Sequence, residues 1–166
     1  MLDLIKTRRS IRAFSEKVVA DDLVNQVLEA GRFAPSGMNN QPWRFAVIRD
    51  KALKGMLSGL TRYSKTIQGA DVLIAVFLDT ETSYNHIKDV QAVGACIQNM
   101  LLAIHSLGLG GVWLGEILKS EKEFKILLEA PEPYELMAVI ALGYPVEPIF
   151  VNSKRKELSE LVFFKR

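Results

Sequence analysis

Three guanidinium side chains and a hydroxyl stand together near the start of the chain, in Arg8-Arg9-Ser10 followed by Arg12, and a second basic run, Lys154-Arg155-Lys156, stands near its end. Guanidinium groups form forked, charge-assisted hydrogen bonds to phosphate or carboxylate, so two such clusters meeting around one anion would hold it firmly. Taken singly, each cluster reads more simply as a solvated charged terminus. Between them lies Pro35-Ser36-Gly37-Met38-Asn39-Asn40-Gln41-Pro42-Trp43. Proline fixes φ and removes an amide donor, while Ser, Asn and Gly favour turns, so this is a rigid loop dense in hydrogen-bonding groups. Ser36, Asn39 and Gln41 suit the hydroxyls and ring amides of a ligand, with ordinary turn chemistry as the alternative. A third segment, Gly110-Gly111-Val112-Trp113-Leu114-Gly115-Glu116, is framed by glycines, and Leu114 and Gly115 are suited to present backbone N–H groups to a planar heterocycle. The three segments together suggest a phosphorylated, polyhydroxylated aromatic ligand.

The residues of self-sufficient catalysis are scarce. His86 and His105 are the only histidines, Cys96 is the only cysteine, and no metal-ligand spacing joins them. Cys96 sits in an apolar helical context that suits an inert core thiol, and His105, near the end of the same helix, suits a solvated or capping role. No phosphate-binding Walker loop, dinucleotide fingerprint or nucleophile elbow is present. Chemistry on this chain is therefore expected to belong to a cofactor, with no catalytic side chain and no metal.

Elements that position these segments follow from periodicity. Residues 2–8 form a weak helix that breaks at the arginines. Apolar positions from Leu23 to Ala34 recur at helical spacing behind Asp21 and Asp22, and Pro35 ends that helix. Phe45–Ile48 reads as a short strand, Asp50 as the N-cap of a helix through Leu60, and residues 61–69 as an exposed connection. Val72–Leu78 is a continuous apolar run that suits a central strand covered on both faces. From about His86 to Leu107 a long helix carries Val90, Val93, Ile97, Leu101 and Ile104 on one stripe and small residues opposite, so it wants neighbours all round. Ser120 with Glu123 has capping-box spacing for a further helix, and Leu136–Leu142 is another covered strand. The interleaving favours a layered α/β or α+β domain.

With 166 residues, 49% hydrophobic, and a formal charge of +2, the chain suits one domain and gives little reason to bind nucleic acid. Its apolar runs fall short of the ~20 residues that span a bilayer. The lone cysteine and the absence of an export signal point to the cytoplasm. The terminal Leu161-Val162-Phe163-Phe164 has no evident partner within the chain and reads as a tail that docks on another subunit.

Arg8-Arg9-Ser10-Ile11-Arg12 together with Ala34-Pro35-Ser36-Gly37-Met38-Asn39-Asn40-Gln41-Pro42-Trp43 resembles the FMN-dependent nitroreductase family. The likeness extends through Gln98-Asn99-Met100-Leu101-Leu102-Ala103, Leu107-Gly108-Leu109-Gly110, Trp113-Leu114-Gly115, Ala141-Leu142-Gly143-Tyr144-Pro145 and Lys154-Arg155-Lys156, so it covers nearly the whole chain as a compact member.

The resemblance implies an α+β fold, with a central mixed sheet flanked by helices, and a homodimer holding an FMN at each of two interfacial sites. Residues 148–166 would form a C-terminal arm that crosses to the partner. Arg8, Arg9 and Ser10 would hold the phosphate and ribityl chain, assisted by Arg12 and by Lys154 or Arg155. Pro35, Ser36, Gly37 and Asn39, with Gln41 in the same loop, would reach the flavin of the other subunit. Leu114 and Gly115 would face the N5 and O2 side of the ring, with Trp113 beside them.

The implied activity is ping-pong transfer of hydride from NADH or NADPH, through flavin N5, to a nitroaromatic, quinone or similar small-molecule acceptor. A flavin-binding or redox-sensing module, or a specialised enone reductase, dehalogenase or flavin-consuming enzyme, is the alternative. Two departures stand out. Gly37 replaces a serine common in the family, and only residues 79–88 remain where larger relatives carry an insertion that covers the flavin. No site is carried over to residues 62–70, which match poorly.

Overall fold

A computed structural model describes residues 1–147 and 154–166. Its centre is a four-stranded sheet of β1 (Trp43–Ile48), β2 (Val72–Asp79), β3 (Gly110–Leu114) and β4 (Tyr134–Gly143), in the order β1-β2-β4-β3. Neighbouring strands all pair antiparallel. The mixed character expected of the sheet is confined to a single parallel bridge, where Ser10 lies beside Gly111 on the outer edge of β3.

Every residue of β2 is buried. The reason is that helices cover both faces of the sheet. On one face Val72, Ile74, Val76, Leu78, Ile140 and Leu142 pack against α2 (Asp21–Arg32) and α5 (His86–Ser106). On the other, Leu73, Ala75, Phe77, Val139 and Ala141 meet Leu57 of α3 (Lys51–Ser58), Ile67 of α4 (Ser64–Gly69) and Phe124 of α6 (Glu121–Leu127). Fully burying a Leu, Ile or Phe stabilises by roughly 1.5–3 kcal/mol, so this two-sided burial dominates the energetics and explains the unbroken apolar run.

The short helix α1 (Leu2–Thr7) precedes the arginines, and α5 runs beneath the whole assembly, its N-terminus capped by Asn85 Oδ1 accepting from Lys88 N at 3.2 Å. At ~1.5 Å per residue its 21 residues extend for about 30 Å. The expected cap at Asp50 is present, with Oδ1 accepting from Leu53 N at 2.7 Å.

Two sequence expectations are corrected. Residues 61–69 are not an exposed connection: they contain α4, with Ile67 and Thr66 buried against α3. With one strongly apolar residue in Ser64-Lys65-Thr66-Ile67-Gln68-Gly69, α4 has no periodic signature, and packing alone defines it. Ser120 stands at the N-cap position of α6, as expected, but its side chain makes no capping hydrogen bond. It ends a 3-10 turn (Glu116–Ser120), and its hydroxyl donates to Leu60 O at 3.1 Å, tying that turn to the end of α3.

At the C-terminus, α7 (Leu158–Leu161) leads into Val162, Phe163 and Phe164, all exposed, Phe163 completely so. Residues 148–153, the start of the expected arm, lie outside the described residues.

Candidate functional site

The break between α1 and the rest of the chain places the arginines where β3 needs an edge partner. Ile11 N donates to Gly111 O at 3.0 Å, so Ser10 is fixed at the open side of the sheet. Gly110 allows this approach, since a Cβ there would lie 2.7 Å from Ile11 Cγ2.

Arg8 and Arg9 are half-buried. Arg9 Nη1 donates to Lys6 O and Arg8 O, while its buried Nε has no partner. Burial lowers the Arg8 pKa, and the nearby charges of Arg9 and Arg155 lower it further. His105, on the last turn of α5, shares this environment: burial and the charges of Arg8 and Arg9 push its pKa down. Its Nε2 lies 2.9 Å from Thr7 Oγ1, which donates to Asp3 O at 2.7 Å. Among the described residues no carboxylate forms an ion pair with Arg8, Arg9, Arg12 or Arg155.

A cluster of like charges with an orphaned guanidinium N–H and no acidic partner has the chemistry of an anion site. Arg155, from the second basic run, lies near enough to Arg8 to lower its pKa. Lys154 is exposed and accepts from Arg155 Nη1 through its carbonyl.

Farther along the same edge, Trp113 is 42% exposed, whereas Leu114 is buried and, in register with Val139, turns its backbone groups toward β4 and away from the open edge. Gly111 turns its carbonyl outward to Ile11, and strand alternation directs the backbone groups of Trp113 to that same edge. Gly115 follows, exposed. Arg12 lies with its guanidinium 5.9 Å from the centre of the Tyr63 ring, and Arg62 stacks on the same ring at 5.2 Å.

Glu116 binds this corner together. It accepts from Thr61 Oγ1 at 2.5 Å and Arg62 N at 3.2 Å, and it pairs with Lys119. The bonds from Lys119 and Thr61 hold its carboxyl down at about 2. Thr61, Arg62 and Tyr63 were missed from sequence because the segment has no periodicity. The clue available was Glu116, a carboxylate directly after the Trp-Leu-Gly segment.

The loop after α2 is built differently. Met38, Asn39 and Gln41 all adopt left-handed backbone, with φ of 54°, 55° and 47°. Such geometry persists only where surroundings over-determine it. Ser36 Oγ accepts from Gln41 N at 3.0 Å, and Gln41 Nε2 donates to Asn39 O at 3.2 Å, so these groups serve the turn itself. Asn40 Nδ2 donates to Asp89 Oδ1 at 3.0 Å.

Asp89 is fully buried in the first turn of α5, and its Oδ2 accepts from Ser83 Oγ, Tyr84 N and Asn85 N. Burial alone would raise its pKa, but the bonds from Ser83, Asn40, Asn85 and Tyr84 together outweigh that and bring it below the usual carboxylate range. Asp89 is thus the common anchor of residues 36–41 and 82–85.

Within one chain these two regions do not converge. Pro35, Ser36 and Gly37 line a groove with Lys88, Gln91, Ala92 and Ala95, while Arg8 and Arg9 sit by His105. From Ala92 to His105 the helix rises about 20 Å. Cys96 is buried in the core, where desolvation pushes its thiol up to about 12, removing it from chemistry. His86 pairs with Glu135 at 2.8 Å on the surface. No group of His, Cys, Asp and Glu among the described residues is arranged to hold a metal ion, and no described helix is long and apolar enough to cross a membrane.

The fold is that of a known class of oxidoreductases. Residues 5–144 match the model of the nitroreductase family, and the chain belongs to that family. It is 37% identical over 147 residues to a protein of Archaeoglobus fulgidus provisionally named NADH dehydrogenase/NAD(P)H nitroreductase, a match covering 87% of this chain and 84% of that one. An iodotyrosine deiodinase of Thermotoga neapolitana is 29% identical over 174 residues, covering 89% of this chain and 90% of the other. Among solved structures, a protein from Desulfovibrio desulfuricans, provisionally named a nitroreductase and crystallised in complex with FMN, superposes with a TM-score of 0.94 at 46% identity, over 99% of this chain and 96% of that one.

Proposed function

We propose that this protein is an FMN-dependent NAD(P)H oxidoreductase that reduces electron-poor acceptors such as nitroaromatics and quinones, acting in the cytoplasm as a homodimer with one flavin between the subunits at each site. The observation that carries this reading is the carboxylate-free cluster of Arg8, Arg9 and Arg155, with its unpartnered buried Arg9 Nε, at the end of an open strand edge. The FMN complex of the Desulfovibrio relative supports the choice of ligand.

In this reading Arg8, Arg9 and Arg155, with Lys154, bind the phosphate, while Ser10 and Arg12 orient the chain that joins it to the ring. Trp113 and Gly115 offer backbone groups to the ring edge, Leu114 anchors the strand end between them on β4, and a donor held at that edge favours negative charge accumulating on the ring. When bound, FMN supplies the hydride chemistry, taking reducing equivalents from NADH or NADPH and releasing them to the acceptor. No side chain is required as nucleophile or base, in keeping with a core cysteine and a surface-paired His86.

The loop Pro35–Gln41 serves the flavin of a second copy, because its separation from the arginines prevents it from closing on its own. The exposed Leu158, Leu161, Val162, Phe163 and Phe164 support a 148–166 arm that packs on that copy, the whole chain forming one domain.

Purified protein is expected to be yellow, to gain thermal stability with FMN, and to bleach rapidly and anaerobically with NADH or NADPH. Protein that stays colourless with added FMN and gains no stability overturns the proposal. Similarity to the Thermotoga deiodinase supports a second reading, reductive removal of iodide from iodotyrosines, which a screen of iodotyrosine, nitro, quinone and enone acceptors distinguishes.

A further inference from the structure

One contact in the loop is explained neither by turn chemistry nor by flavin binding. Tyr84 lies across Gly37, and a Cβ at position 37 would sit 2.6 Å from Tyr84 Cε1 and closer still to its phenol oxygen. Any larger residue at 37 displaces the ring. Gly37 has an ordinary backbone conformation and is absent from the left-handed positions, so what a side chain here would disturb is the seat of the Tyr84 ring rather than φ.

Tyr84 is nevertheless 43% exposed, with Lys88 Nζ 5.4 Å from its ring centre. Lys88 forms no ion pair among the described residues. The nearest carboxylate in sequence, Asp89, is buried and already accepts four hydrogen bonds, three of them from residues 83–85 and one from Asn40. Asp89 therefore fixes Tyr84 against the loop and leaves Lys88 uncompensated. Beside them an open groove of about 280 Å³ is lined by Pro35, Ser36, Gly37, Lys88, Gln91 and Ala92, among others. It offers one substituted aromatic ring a face to lie on, with its outer side left to solvent.

We propose that Tyr84 and Lys88, seated over Gly37, form the acceptor-recognition surface of the flavin site and select planar aromatic acceptors that carry a carboxylate. This rests on the flavin reading above, in which Pro35, Ser36 and Gly37 border the ring bound by the other copy. The phenol ring supplies a face for stacking, the ammonium supplies the charge-assisted contact, and Asp89 and Gly37 act as positioning residues.

The test uses the oxidised, FMN-loaded protein and calorimetric titration with 4-nitrobenzoate and 4-nitrobenzamide, which match in shape and differ in charge. The wild type is expected to prefer the benzoate about tenfold, which is the effect of ~1.4 kcal/mol. Lys88→Gln abolishes that preference while leaving the benzamide affinity unchanged. Tyr84→Leu weakens both compounds, Gly37→Ala does the same, and the double variant is no weaker than either single one. FMN content and bleaching by NADH or NADPH, read by absorbance on each sample, separate the two levels. If the wild type fails to bind FMN or to bleach, the functional reading falls. If FMN binds and bleaches but the wild type shows no preference, Lys88→Gln lowers both affinities alike, or Gly37→Ala and Tyr84→Leu add, the acceptor proposal falls alone.

Discussion

The corner around Arg8 and Arg9 and the loop around Asn39 are both polar, yet they are in opposite energetic states. In the loop the donors are used, since Ser36, Asn40 and Gln41 bond within it or to Asp89 and the buried carboxylate gathers four donors, and the unpartnered buried atom there is the neutral Asn40 Oδ1. At the arginine corner charges of one sign are crowded together, burial and these charges lower the pKa values of Arg8 and His105, and a buried guanidinium N–H is left without an acceptor. A self-satisfied region acts as a preformed wall. A corner of crowded like charge suits a ligand of opposite charge, which would relieve its repulsion.

The comparison is broken most severely at Asp89. Asp89→Ala leaves Ser83 and the Tyr84 and Asn85 N–H groups without their acceptor and Asn40 with Thr82 O alone, and four part-buried bonds at roughly 0.5–1 kcal/mol each imply a loss of about 2–4 kcal/mol in urea unfolding of the apo protein. Arg9→Gln is the opposite kind of change. It leaves apo stability unchanged or higher, because it removes a like charge, while weakening FMN by about 2 kcal/mol, or about 30-fold in fluorescence titration. If Arg9→Gln instead destabilised the apo protein and spared FMN, the corner would be structural.

A smaller effect separates loop strain from loop bonding. Met38 is exposed and left-handed, so Met38→Gly is expected to raise stability by about 0.5–1 kcal/mol, read as a higher urea midpoint. The smallest effect concerns pH. The folded-state pKa of His105 is depressed, so in the apo protein the unfolded state takes up this proton first. Stability from this group is present above its ordinary imidazole value and is lost as pH falls through that value toward the lower folded one. His105→Gln should flatten that part of the stability profile, and bound FMN should flatten it too, because a phosphate favours the imidazolium.

Much of this was legible in the sequence. The β2 run, the stripe of α5 and the Asp50 cap each follow from a local pattern of apolar spacing or a single capping side chain. The basic runs at the two ends were readable as a candidate anion site, and Arg155 lies near enough to Arg8 to lower its pKa. What could not be read depends on contacts between distant segments. The helix α4 exists because Ile67 finds the far side of the sheet, Ser120 serves Leu60 rather than α6, and Thr61 meets Glu116 across 55 positions. The role of Gly37 was visible only as a missing hydroxyl, because the ring that occupies the space comes from residue 84.

The most direct test of the central claim is the affinity of the apo protein for FMN against riboflavin, which lacks only the phosphate. Two charge-assisted contacts from the arginine corner at ~1.5 kcal/mol each predict that FMN binds at least about 100-fold tighter, and that Arg9→Gln removes much of the difference. Equal affinity for the two flavins, or no binding of either, would contradict the assignment of Arg8, Arg9 and Arg155 as a phosphate site.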